Sequence, residues 1–273
     1  PPSNPPNSPP PPAQPNAHHI QGYNLKAYQY NINGITGKID ELLHNMEKDK
    51  ILIAAIQETK LTSKSKPIKT PNYTFVRKDR GTNKGGGLAF LVHKDINFTL
   101  EKTPNSHEQD PHLESLTISL PGKDNDHLYI RNVYIPPSSS CVQPYEPPFN
   151  DLFTDLGESY YILGDINAHS ELWHSEATTD PRGRALGDTI SGMDCGIINE
   201  DQPTRVTNLA STAPDISIAS PNLIPTTTWK IANKMSSDHS PSSSALLPTL
   251  RNLTPNMLPS LIFPKPIGQN FKK

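Results

Sequence analysis

Short apolar runs that each stop on a polar residue constrain this chain more than any other feature. Tyr161-Ile162-Leu163-Gly164 ends on Asp165-Ile166-Asn167-Ala168-His169, and Ile51-Leu52-Ile53-Ala54-Ala55-Ile56 ends on Gln57-Glu58-Thr59-Lys60-Leu61. The strand-like Leu25 to Tyr30 ends on Asn31-Ile32-Asn33-Gly34. Runs of this length read as buried strands, and side chains at the ends of such strands open into a cleft rather than into the core. On an extended backbone Asn31 and Asn33 share one face, as do Asp165 and Asn167, because successive side chains alternate. Asn132-Val133-Tyr134-Ile135-Pro136-Pro137 closes another strand on a phenol and two prolines, which forbid further pairing. Thr212-Ala213-Pro214-Asp215-Ile216-Ser217-Ile218 supplies a further aspartate, and Ser236-Ser237-Asp238-His239-Ser240 an Asp-His pair.

Each motif alone has an ordinary explanation. Gly-Asp is common turn chemistry, and Asn31 and Asn33 are ordinary turn formers. Tyr134 fits a core aromatic, and Asp238 fits a cap. His169 fits either a cleft residue or a packing partner of Trp173. Glu58 is the hardest to explain away, since a carboxylate closing so apolar a strand is an uncompensated burial cost. Polar groups at this many strand ends point to convergence, which predicts Glu58, Asp165, Asn167, Asp215, Asp238 and His239 in one cleft. A carboxylate there can accept a proton from water while an amide donates to a phosphate oxygen, half of what phosphodiester hydrolysis needs.

Periodicity supports a mixed α/β domain. Ile35, Ile39, Leu42, Leu43 and Met46 recur at helical spacing, and Ala185, Leu186, Ile190 and Met193 mark a second helix over Arg184 to Met193. The run Lys84-Gly85-Gly86-Gly87 precedes the strand Leu88 to Val92 and lacks the ending of a nucleotide loop, so it reads as turn chemistry. Cys141 and Cys195 offer neither zinc spacing nor a disulfide framework, which suggests an intracellular chain. No apolar run approaches membrane length and no signal-peptide pattern opens the sequence. A formal net charge of −2 is unexpected for a nucleic-acid binder. It hides a basic segment of Lys60, Lys64, Lys66, Lys69, Arg77, Lys78, Arg80 and Lys84 opposed only by Asp79, either a solvated loop or a phosphate-contacting edge. Pro1 to about Ile20 is Pro-, Asn- and Ser-rich and predicts a disordered linker or a ligand for a proline-binding module, with His18-His19 incidental. After Leu247 the prolines resume, as in a linker.

In this order QETKL, NVYIPP, GDINAH, PDISIAS and SDHSP resemble the endonuclease/exonuclease/phosphatase superfamily. The likeness runs from about Leu25 to about Leu247. The glycine run before Leu88, the extension of GDINAH into Ser170-Glu171-Leu172-Trp173-His174-Ser175, and Thr212 to Ser220 narrow it to the endonuclease domain of jockey-like LINE-type, non-LTR retrotransposons. The resemblance implies a DNase I-like four-layer sandwich over about residues 23–248, two packed mixed sheets flanked by helices, between the proline-rich tail 1–22 and a tail 249–273. It implies a metal-dependent DNA endonuclease using magnesium, or manganese in its place, and nicking double-stranded DNA to leave a 3′ hydroxyl that primes reverse transcription. Glu58, Asp238 and Asn33 would hold the metal, although Asn33 stands where relatives often carry an aspartate. Asp165 would activate water, Asn167, His239 and Tyr134 would act on the phosphate, Asp215 would orient His239, and Asn31 would hold the metal ligands. Thr204, Lys64, Lys66 and Lys69 would contact DNA. No reverse-transcriptase motif occurs, so the chain is expected to be a fragment or truncated copy of a longer reading frame, whose missing part would meet the element RNA. Synthesis in the cytoplasm, action in the nucleus, and no secretion or membrane follow from the same likeness. Two alternatives stay open: a relative acting on another phosphoester, such as an abasic-site nuclease or a phosphatase, and a catalytically silent binding module.

Overall fold

Along β1 (Leu25–Asn31) the side chains sort into two layers. Tyr28 and Tyr30 join one apolar cluster and Leu25 and Ala27 another, as a pleated strand requires. The chain then passes through α1 (Ile39–Asp49), β2 (Ile53–Gln57), β3 (Tyr73–Lys78) and β4 (Leu88–His93). It continues into β5 (Thr99–Leu100), α2 (Asn105–Gln109), β6 (Glu114–Pro121), β7 (His127–Tyr134) and β8 (Ser159–Asp165). The last part holds α3 (Pro181–Gly192), β9 (Gly196–Ile197), β10 (Arg205–Val206), β11 (Ser211–Thr212), β12 (Asp215–Ala219), β13 (Thr227–Ile231) and β14 (Ser242–Leu246). This computed structural model describes residues 25–80, 85–122 and 126–246. The proline-rich start, the C-terminal tail and Lys84 lie outside them.

Two six-stranded mixed sheets form, ordered β13-β14-β1-β2-β4-β3 and β5-β6-β7-β8-β12-β9, with β10 and β11 as a separate hairpin. The sheets pack face to face through Leu25, Ala27, Ile53, Phe90 and Val92 on one side and Leu116, Ile118, Ile130 and Leu163 on the other. Leu42 and Met46 of α1 cover the outer face of the first sheet. Leu186 of α3, Trp173, Phe149 and Leu152 cover the outer face of the second. The architecture is the expected DNase I-like sandwich.

The layer between the sheets changes character along the strands. On β1 the inward positions run Leu25, Ala27, Gln29, Asn31, and on β8 they run Tyr161, Leu163, Asp165. Buried amides therefore join the sheets near their polar end. Asn132 of β7 donates to the Ile56 carbonyl of β2 and the Ala89 carbonyl of β4, each at 3.0 Å, and accepts from Gln57 at 2.7 Å. Every such donor needs its partner, because an unpaired buried amide costs about 1–3 kcal/mol.

Both helices depart from the boundaries expected from periodicity. Ile35 is buried but not helical, because the Gly34 and Ile35 amides donate to the carbonyls of Glu58 and Thr59 and tie that segment to the loop after β2. α3 begins at Pro181 rather than Arg184, since the Asp180 carboxylate accepts from the Gly183 amide at 2.6 Å and caps the first turn, with proline suited to the first helical position.

The parallel pairing of β7 with β8 leaves no room beside Gly164. A Cβ there would lie 2.2 Å from the Val133 carbonyl oxygen and 2.3 Å from Val133 Cγ2. Gly164→Ala should destabilise the domain by about 1–3 kcal/mol, as overpacking of a tight core does. Urea unfolding would show a lowered midpoint at unchanged slope.

Candidate active site

Strand register assembles the cleft. Across parallel β7 and β8 Tyr134 stands opposite Asp165, and across antiparallel β8 and β12 Asp165 stands opposite Asp215. A phenol and two carboxylates thus form a row on three neighbouring strands. From the other sheet, Asn31 at the end of β1 donates its amide to Asp165 Oδ2 at 2.7 Å and to Glu58 Oε1 at 3.0 Å. Tyr134 donates its phenol to the same Glu58 oxygen at 3.0 Å. His239 Nδ1 lies 2.8 Å from Asp215 Oδ2 and its Nε2 3.9 Å from Asp165 Oδ2. Gln29 and Thr204 complete the Asp215 carboxylate with hydrogen bonds of 3.2 and 2.6 Å.

Two expectations about side-chain direction need correction. β1 ends at Asn31 and β8 at Asp165, so neither Asn33 nor Asn167 continues a strand. Each adopts a left-handed conformation, with φ of 49° and 47°. In both turns the amide N–H two residues on donates to the strand-end side chain, Asn33 to Asn31 Oδ1 at 3.0 Å and Asn167 to Asp165 Oδ1 at 3.1 Å. This is the Asx-turn geometry for which asparagine and aspartate are suited. Asn167 then donates its side-chain amide to the Ile135 carbonyl at 3.0 Å, and Asn33 donates to Asp238 Oδ1 at 3.3 Å.

The site's electrostatics follow from its burial. Asp165 is 1% exposed; burial and then repulsion from Asp215 push its carboxyl up to about 7, opposed by His239 and by hydrogen bonds from Asn31 and the Asn167 amide. For His239 burial works downward, but the Asp215 carboxylate overrides it, with help from Asp165 and Asp238, and raises the ring to about 9. Burial alone would raise Glu58; hydrogen bonding from Asn31, the Lys60 ammonium and the Tyr134 phenol bring it below the usual carboxylate range. Asp238 is held down to about 2 because the Arg205 guanidinium, His239 and Asn33 outweigh its partial burial.

All the residues assigned to catalysis and metal from the sequence gather here, but several contacts differ from those expected. Tyr134 donates to Glu58. Asp238 is engaged by Arg205 Nε at 2.7 Å as well as by Asn33, and is linked to Glu58 through the Asn33 side chain and then the Lys60 ammonium. Thr204, expected at the DNA backbone, is 0% exposed with its hydroxyl spent on Asp215, so it fixes a carboxylate from inside the fold. Lys64, Lys66 and Lys69 are exposed on the loop between β2 and β3. The rest of the basic segment has more acidic partners than Asp79. Lys60 pairs with Glu58, Arg80 with Glu114, and Lys78 donates to Thr103 and the Ser115 carbonyl. His169 pairs with Asp180 at 2.9 Å. Gln29 and Arg205 have no counterpart among the sequence-based candidates; Gln29 carried one signal, an amide in the inward register of an apolar strand.

Asp165, Asp215 and His239 bring ligand atoms within 4.8 Å of one another and could hold a metal ion. Their internal hydrogen bonding suits proton handling at least as well, since His239 Nδ1 is already committed to Asp215. A second place for a cation is marked by the Lys60 ammonium, which lies 3.2 Å from Glu58 Oε2 and also contacts Asn33 Oδ1. Carboxylate and amide oxygens are the donors a hard divalent cation takes.

The fold is the DNase I-like arrangement found in endonuclease/exonuclease/phosphatase proteins. In sequence the chain is similar to proteins of this kind: residues 128–243 match the family model described as endonuclease-reverse transcriptase, a span that includes Tyr134, Asp165, Asn167, Asp215, Asp238 and His239. A Drosophila melanogaster protein, the probable RNA-directed DNA polymerase from transposon BS, is 26% identical over 196 residues. That alignment covers 70% of this chain but 20% of the relative, so the chain spans about a fifth of the relative's length. Among solved structures, the endonuclease domain of TRAS1, a telomere-specific non-LTR retrotransposon, matches with a TM-score of 0.65 at 18% identity, covering 83% of this chain and 99% of that one. The AP endonuclease of Leishmania major matches with a TM-score of 0.66 at 16% identity, covering 82% and 88%.

Both raised groups give stability the same pH dependence. The folded chain keeps protons on Asp165 up to about 7 and on His239 up to about 9 that the unfolded chain releases near 3.8 and 6.5. Stability from the His239–Asp215 pair is therefore full below pH 6.5 and lost as pH rises through 9. The thermal midpoint should fall between pH 7 and 9, and Asp215→Asn should flatten that fall. An equal slope in the variant would place the linkage elsewhere.

Proposed function

We propose that this domain is a magnesium-dependent DNA endonuclease that nicks target DNA to leave a 3′ hydroxyl, the end from which a retrotransposon's reverse transcriptase would start. The observation that carries this reading is the joint held by Asn31, where a carboxylate from each half of the fold meets beside a histidine–aspartate pair. The likeness to a retrotransposon endonuclease and to an abasic-site endonuclease supports DNA as substrate.

Each residue has a part in the hydrolysis. Asp165 accepts the proton of the attacking water; its raised affinity for protons matches a base working near neutral pH. His239, held protonated and oriented by Asp215, donates from Nε2 to a phosphate oxygen as negative charge builds in the transition state. Asn167, fixed by the Ile135 carbonyl, presents the remaining N–H of its side-chain amide to the phosphate. Glu58 and Asn33 would hold the magnesium ion, which when bound supplies Lewis-acid stabilisation to phosphate and leaving oxygens. Asn31 and Tyr134 keep Glu58 aimed. The P–O3′ bond then breaks, and the departing 3′ oxygen takes a proton from solvent, leaving a 5′ phosphate and the 3′ hydroxyl.

Supercoiled-plasmid nicking with and without chelator tests this directly. Asp165→Ala should lower nicking by about 10²–10⁴-fold, the usual worth of a general base, with DNA affinity largely kept. A purified domain that leaves plasmid intact with magnesium and manganese, yet folds and binds DNA, would establish the silent binding module instead. Replacing Lys64, Lys66 and Lys69 by neutral residues should reduce the salt slope of DNA binding by roughly 0.9 for each lysine that meets a phosphate. Single-turnover nicking of bound DNA should hardly change, since those residues position DNA without touching the reacting phosphate.

A further inference from the structure

We propose that the Lys60 ammonium is a resident cation of the Glu58 site, occupying it until a divalent ion displaces it. The inference rests on Glu58 as metal ligand and adds a regulator from this chain to it. Glu58 has two oxygens, and Oε1 already accepts from Asn31 and Tyr134, each at 3.0 Å. Oε2 is thus the oxygen open to a metal, and the Lys60 ammonium lies 3.2 Å from it. The same ammonium contacts Asn33 Oδ1, while Asn33 Nδ2 faces Asp238. Asn33 is thereby oriented oxygen-first toward the cation, the orientation a metal ion would also require.

The backbone holds Lys60 there. Glu58 and Lys60 both lie in the left-handed region, with φ of 50° and 54°, conformations that non-glycine residues keep only when their surroundings impose them. The surroundings are the glycine run, whose Gly87 and Gly86 carbonyls accept from the Thr59 and Lys60 amides at 3.0 and 2.9 Å. A Cβ on Gly87 would lie 2.6 Å from Thr59 Oγ1, so only glycine lets the two segments meet so closely. On the other side the lysine stem lies against Gly34, where an added Cβ would stand 3.6 Å from Lys60 Cδ. The glycine run therefore shapes the Glu58–Lys60 turn. Lys60 is nonetheless 40% exposed at its side chain, so it can leave toward solvent without disturbing the core. With Asn33 in place of a carboxylate, Glu58 is its one direct anionic partner among the described residues, and a doubly charged ion is attracted more strongly than a single ammonium to those oxygens.

Two measurements, neither involving DNA or turnover, test this. In the first, wild-type protein is acylated at lysine with and without saturating Mn²⁺ and the products are mapped by mass spectrometry. Lys60 labelling should rise severalfold with the ion while Lys64, Lys66 and Lys69 stay constant. In the second, Mn²⁺ affinity is compared for wild type and Lys60→Met. If the ammonium holds the site about nine-tenths of the time, removing it tightens binding roughly tenfold. Labelling of Lys60 that does not rise under saturating Mn²⁺ would overturn the proposal, as would unchanged or weaker binding by Lys60→Met, or no Mn²⁺ binding by either protein. Because the labelling uses the wild-type chain, it decides the question even if Lys60→Met fails to fold. A wild type that nicks plasmid but never releases Lys60 refutes this inference alone; release of Lys60 in a chain that nicks nothing refutes the endonuclease reading alone.

Discussion

One amide joins the halves of this candidate active site. Asn31 ends a strand of the first sheet, yet its two donated hydrogen bonds go to Asp165, at a strand end of the second sheet, and to Glu58, in the loop after β2. The separation of the sheets, set by the apolar layer from Leu25 to Leu163, fixes how far apart these carboxylates stand. An amide suits the position because it donates to two anions without adding charge, whereas a third carboxylate would repel both. The buried Asn132 and Gln57 contacts lock the sheets at the neighbouring level, so the joint does not have to hold the sandwich together by itself.

The cleft is built twice by one local rule. Asn31-Ile32-Asn33 and Asp165-Ile166-Asn167 each end a strand, bury the isoleucine and turn through a left-handed asparagine whose amide N–H returns to the strand-end side chain. The turn stops pairing, anchors the strand-end side chain at one oxygen, and swings the second asparagine toward the cleft rim. Asparagine tolerates the left-handed region better than most residues, so each turn costs less than a left-handed β-branched residue would.

The strand-end pattern is legible in the sequence because the inward faces follow a period of two, and the polar residues fall where that register meets the ends of the strands. Gln29, Asn31 and Asp165 are therefore readable as inward-facing. What the sequence does not show is where a strand stops: alternation carried through Asn33 and Asn167 puts them on a strand face, while the Asx turns remove them from it. Thr204 and Lys60 illustrate a second limit. Which side chain a threonine hydroxyl or a lysine ammonium reaches depends on tertiary approach, here the packing of Thr204 under β12 and the clasp of the glycine run on Thr59 and Lys60. The glycine run reads as turn chemistry alone because its partner segment lies some distance back along the chain.

Charge balance shapes the cleft. Glu58 has Lys60, Asp238 has Arg205, and Asp215 has His239, so three of the four carboxylates carry a cation of their own. Among the described residues Asp165 has none at hydrogen-bond distance: Asn31 and the Asn167 amide donate to it, and His239 Nε2 stays 3.9 Å away. Its proton affinity is raised toward neutrality, which follows from burial beside Asp215 with only partial compensation. The paired carboxylates hold the shape, and the unpaired one is left able to exchange a proton. A cation entering at Glu58 would add positive charge near Asp165 and favour its ionised form, and the Asn31 amide that donates to both carboxylates keeps them close enough for that influence.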